Sequence, residues 1–192
     1  MKNIQKDFEK KGYTIVKPEK KILNEIREII YSSIKKKIDS KYKNKDIDNF
    51  FNKFHEFAKS KDLNEIRFST YNLINKSKKF QNLYYQAAKP FLNILVGNEL
   101  AMQKKINLSI QMPKDKDSLL DMHSDAYAGE SPFQVVVWIP LVNVFSSKGM
   151  FFTTPQTSKK INNEVLNNDK YNVKQLYIKN KKKVLVCKSK FW

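Results

Sequence analysis

The 192-residue sequence is poor in three chemically useful residue types. It has one cysteine (Cys187), two histidines (His55 and His123) and two arginines (Arg27 and Arg67). A lone cysteine excludes an internal disulfide framework and suits a reducing cytoplasm. No window approaches the roughly 18 uninterrupted apolar residues that a membrane span needs. The opening MKNIQKDFEKKGY lacks the apolar stretch of a secretory signal. A cytoplasmic protein without a membrane anchor is therefore expected.

The shortage of arginine also qualifies the formal net charge of +18, which is carried almost wholly by lysine. Bidentate recognition of phosphates and bases is arginine chemistry. A chain rich in Lys, Asn and Ile also follows from AT-rich coding alone. A solvated lysine surface is the expected reading, with no nucleic-acid partner. The alternative, a basic module that binds polyanions, calls for cations interleaved with exposed aromatics on one face. Here the lysines are spread along the chain and the aromatics fall mostly on apolar stripes.

The length suits one domain able to bury a real core. Its first part, residues 1–100, reads as mainly helical. Phe8 to Val16 suggests a short helix feeding a strand. From Glu19, the residues Ile22, Leu23, Ile26, Ile29, Ile30 and Ile34 recur at helical steps. Lys35 to Lys45 forms a lysine-rich connection. A second helix follows Asp46, with Ile47, Phe50, Phe51, Phe54, Phe57 and Ala58 as a core stripe and His55 at its boundary. Asp62 with Glu65 reads as a capping-box variant opening a third. Lys78 to Val96 is helical in period, with Pro90 kinking or interrupting it and Gly97-Asn98 ending it.

At Ile106 the period changes from 3.6 to 2. Ile106, Leu108, Ile110 and Met112 alternate with Asn107, Ser109 and Gln111, as in a half-buried strand. Further strands are predicted around 121–125, 133–141, 150–153, 173–178 and 183–187, with 161–168 a loop or one short helix. Helices followed by strands predict an α+β fold.

The most informative stretch is Asp121 to Pro155. His123-Ser124-Asp125 puts an imidazole and a carboxylate at i and i+2, which point to the same side of an extended chain. These are two of the three donors in the 2-His-1-carboxylate facial triad of Fe(II) oxygenases. The apolar run Phe133 to Leu141 follows, containing Trp138-Ile139-Pro140-Leu141. Next come a turn-rich gap, Gly149, and Met150-Phe151-Phe152-Thr153-Thr154-Pro155.

Over about Lys105 to Ser158 this pattern resembles the Fe(II)/2-oxoglutarate-dependent dioxygenases of the phytanoyl-CoA dioxygenase-like branch. In that branch the metal-binding His-x-Asp precedes a W-x-P/A-L strand and a Gly-led strand ending in a Pro-containing turn, commonly P-G-S-H. Here the turn reads Thr154-Pro155-Gln156-Thr157-Ser158, without that Gly and His. The resemblance implies N-terminal helices packed on a double-stranded β-helix, or jelly roll. It implies Fe(II) held by His123 and Asp125, 2-oxoglutarate as cosubstrate, and hydroxylation or a related oxidation of a small molecule. Trp138 matches a tryptophan that lines the cosubstrate pocket in some relatives, or else it packs between sheets. On the polar face of the earlier strand, Asn107 and Gln111 are candidate pocket residues, with Ser109 beside them. Tyr127 reaches substrate or simply packs.

The family also needs a second histidine downstream, and an Arg or Lys beyond it for the far carboxylate of 2-oxoglutarate. After His123 the sequence has no histidine, and after Arg67 no arginine. Lys183 to Trp192 looks like the strand leading into the absent histidine. The expectation is a C-terminally truncated dioxygenase with an incomplete barrel. A degenerate, non-catalytic homologue is the alternative. Lys188 or Lys190 is a candidate to meet a carboxylate.

Overall fold

The computed structural model describes residues 2–38, 46–113, 115, 121–167 and 173–186. In chain order its elements are α1 (Lys2–Lys11), α2 (Lys20–Lys35), α3 (Ile47–Asn52), α4 (Ser60–Lys76), α5 (Lys78–Val96), β1 (Phe151–Phe152), α6 (Pro155–Leu166), α7 (Val173–Asn180) and β2 (Leu185–Val186). Short 3-10 turns lie at 54–56, 125–128, 146–148 and 181–183. The chain divides into two compact units. One holds residues 15–118, the other residues 2–14 and 119–191.

The first unit is a helical assembly in which α2 packs against α3, α4 and α5. Of the predicted stripe on α2, Leu23, Ile26, Ile30 and Ile34 are buried, while Ile22 and Ile29 are half-buried at its edge. Arg27 shares that face because Asp48 at the start of α3 neutralises it at 2.7 Å, and its guanidinium lies over the Phe51 ring. Phe50 is fully buried, with its ring against Tyr31, Phe51, Phe54 and Phe57. Buried Thr70 on α4 meets Ser33 on α2 hydroxyl to hydroxyl at 3.4 Å, so neither polar group is left alone in the core.

Helix starts follow their capping chemistry unevenly. Asp46 accepts from the N–H groups of Asp48 and Asn49, and Ser77 accepts from that of Phe80. Asp62, in contrast, lies inside the first turn of α4, which begins at Ser60. Helix α5 runs through Pro90 to Val96, because one proline removes a single ladder bond and need not end a packed helix. Gly97 terminates it at φ +83°.

Among the described residues the jelly roll does not form. Among the described residues the only sheet is the antiparallel pair β1–β2, with Phe151 opposite Val186 and Phe152 opposite Leu185. Three local causes account for the difference. First, the alternating segment from Ile106 does alternate in burial, with Ile106 buried and Asn107, Ser109 and Gln111 exposed. Its backbone is held by helix side chains in place of a neighbouring strand. The Asn75 amide pairs with both polar groups of Ile106, and Arg67 donates to the Ile110 carbonyl and pairs with Asp115 at 2.9 Å. Second, Thr154 caps α6 by accepting from the Thr157 N–H, with Pro155 in the first helical turn where it is well tolerated. Third, the predicted strand over 173–178 is helix α7. It buries Leu176 and Asn180 four residues apart, and the Asn180 amide donates to the Leu176 carbonyl.

In the second unit, α1 ends at Gly12, whose N–H bonds to the Phe8 carbonyl. Gly12 has φ +77° and lies against Pro155 of α6, while Tyr13 packs edge-on to Phe152 of β1. No helix among the described residues is long and apolar enough to cross a membrane. Residues 39–45 of the lysine-rich connection lie outside the described residues, as do Cys187, Lys188 and Lys190.

Candidate metal centre

The candidate centre lies in the second unit, on the segment leading into the 3-10 turn Asp125–Ala128. Ser124 is extended, at φ −124° and ψ 126°, and so carries His123 and Asp125 onto the same side. Gly129 closes the turn at φ +94°, in the left-handed region that glycine enters without a steric penalty. The Glu130 N–H then bonds back to the Asp125 carbonyl at 3.0 Å.

The two side chains meet. His123 Nε2 lies 3.3 Å from Asp125 Oδ1. On the other side of the ring, His123 Nδ1 lies 2.7 Å from the Asp121 carbonyl oxygen. A carbonyl only accepts, so Nδ1 carries the proton, and in the neutral ring Nε2 is then a lone pair. That lone pair faces a carboxylate oxygen. Two acceptors brought this close need a cation shared between them, either a proton or a metal ion. With ligand bonds of about 2.1 Å, two donors at right angles around a metal stand about 3 Å apart. His123 and Asp125 fit a divalent cation as two adjacent donors, and a histidine ligand held at its other nitrogen by a backbone carbonyl is the usual arrangement.

Around this pair the setting is open. The two side chains are 52% and 42% exposed. No group of three or more His, Cys, Asp or Glu residues among the described residues is placed to hold a metal. Among the described residues no third such side chain fills another position around an ion there. His55, the remaining histidine, is exposed in the 3-10 turn at 54–56 of the first unit.

Of the predicted cosubstrate residues, Trp138 lies in the second unit and is 40% exposed. Asn107 and Gln111 lie in the first unit, on the exposed side of the segment from Ile106. A shallow, open depression of about 320 Å³ between α2 and α4 is lined by Glu28, Ile29, Ser32, Ser33, Lys36 and Leu73, none of them a predicted site residue. The Tyr127 side chain lies outside the described residues.

Two contributors are not visible in the His-x-Asp spacing. Asp121 acts through its backbone carbonyl, which no residue pattern reveals. Gln134 donates its amide to Asp125 Oδ2 at 3.2 Å. Its signal in the sequence is slight: it is the one hydrogen-bonding amide in the apolar run from Phe133 to Leu141. The chain matches no protein-family model, no curated protein and no solved structure.

Proposed function

We propose that this chain is an Fe(II)/2-oxoglutarate-dependent oxygenase acting on a small molecule, with His123 and Asp125 as its metal ligands. One observation carries the reading. His123 Nδ1 lies 2.7 Å from the Asp121 carbonyl oxygen, and this leaves Nε2 facing a carboxylate oxygen 3.3 Å away. Motif and geometry thus select the same two side chains. Fe(II) with 2-oxoglutarate would supply the oxidising chemistry, while the protein binds and orients. Within that division, His123 and Asp125 hold the ion and Asp121 orients the imidazole. The single cysteine fits the cytoplasm as the compartment, and the scarcity of arginine fits a partner other than nucleic acid.

A second reading is favoured by the absence of a third side-chain donor among the described residues. In it, the chain is a degenerate, non-catalytic homologue whose two donors hold a cation weakly or not at all. Anaerobic Fe(II) titration, with and without 2-oxoglutarate, separates the two. The oxygenase reading predicts stoichiometric iron and a metal-to-2-oxoglutarate charge-transfer band, both lost in His123→Ala. Iron binding without that band, or absence of stoichiometric iron, overturns the oxygenase reading and selects the second.

A further inference from the structure

We infer that Gln134 is a positioning residue that makes Asp125 a ligand through one oxygen only. This rests on the metal-centre reading above. A carboxylate torsion is soft and nearly two-fold, so either oxygen of a free aspartate can turn toward an ion, or both can engage it. Here the two oxygens have different partners. Oδ1 faces His123 Nε2 at 3.3 Å, whereas Oδ2 accepts the Gln134 amide at 3.2 Å. Holding Oδ2 leaves Oδ1 as the donor. A carboxylate using both oxygens would occupy a second place on the ion. A facial site must keep such places open for its exogenous ligands.

The backbone explains how a residue nine positions downstream arrives there. Ser131-Pro132-Phe133-Gln134 is a turn closed by the Gln134 N–H on the Ser131 carbonyl at 3.2 Å. The Ser131 hydroxyl accepts from the Phe133 N–H, also at 3.2 Å. Proline suits the second position of such a turn, since its fixed φ lowers the entropy lost in closing it. The turn leaves Phe133 at its apex, 91% exposed, and directs Gln134 to the carboxylate. A hydrogen bond to an ionised acceptor is stronger than a neutral one, although here water competes for it.

Residues that orient metal ligands typically change affinity 10–100-fold when removed, and the exposure of this pair places the expected loss at about 10-fold. The test is anaerobic Fe(II) titration of the full chain and of Gln134→Leu, followed by infrared difference spectra on isotope-labelled aspartate. The separation of the carboxylate stretches distinguishes coordination through one oxygen from coordination through two. The expected result is one-oxygen coordination in the wild type, with about 10-fold weaker iron and a changed stretch separation in Gln134→Leu. An unchanged separation in that variant, whatever its affinity, overturns the positioning role and leaves the metal centre standing. If the wild type itself binds no iron that His123→Ala abolishes, the centre fails and the inference with it.

Discussion

Asn75 serves as the strand partner of Ile106. Its Nδ2 donates to the Ile106 carbonyl at 3.0 Å, and its Oδ1 accepts from the Ile106 N–H at 2.6 Å. A side-chain amide has the same donor and acceptor as a peptide group, so one residue of α4 satisfies both backbone groups of a buried position.

Asn75→Ala should therefore cost about 2–3 kcal/mol, because it strands a donor and an acceptor at a residue only 7% exposed. Urea unfolding measures the global loss. Hydrogen exchange at the Ile106 amide measures the local one, and protection there should drop before that of α4. Unchanged protection would mean that water replaces the amide.

Acid should weaken the start of α3. The Asn49 N–H, then the Asn49 side-chain amide, hold the Asp46 carboxyl below its usual value of 3.8, opposed by a smaller desolvation effect. Folding thus favours the charged form. That stabilisation is complete above the unfolded value and disappears as pH falls through the lower folded one. Asp46→Asn keeps a capping oxygen but does not titrate. In a urea series over pH, the wild type should lose stability below about 4 more steeply than the variant. Parallel curves would rule out this role for Asp46.

Gly12→Ala should destabilise the second unit more than Gly129→Ala. Both glycines have positive φ, at +77° and +94°, so an alanine at either carries the left-handed penalty of roughly 1–2 kcal/mol. At Gly12 the added carbon would also stand 3.1 Å from Pro155 Cγ, whereas at Gly129 it meets nothing within 4 Å. The difference between the two thermal midpoints reads out the Pro155 contact. Equal losses would show that the proline ring yields freely.

Much of the first unit was legible because its signals are local. The period of Ile26, Ile30 and Ile34 and the helix that follows Asp46 need no knowledge of the remaining chain. The sheets were not legible, because period-2 alternation states that a segment has one apolar face and does not state what pairs with its backbone. From Ile106 onward the partner is a helix bearing Asn75 and Arg67, neither of which resembles a strand edge in sequence. Lysines obscure the period over 173–180, where Leu176 and Asn180 are the buried pair. At the candidate centre, the spacing of His123 and Asp125 follows from chain geometry. Asp121 and Gln134 act through a carbonyl and a turn, which the folded chain alone brings to the site.

The second unit is discontinuous: residues 2–14 belong with residues 119–191, and the whole first unit is inserted between them. Synthesis proceeds from the N-terminus at about 5–20 residues per second. Helix α1 therefore leaves the ribosome several seconds ahead of Pro155 and Phe152, which cover Gly12 and Tyr13. The inserted helices emerge in full during that interval. For α1 those seconds are a window in which a chaperone or a protease meets an amphipathic segment still waiting for its partners.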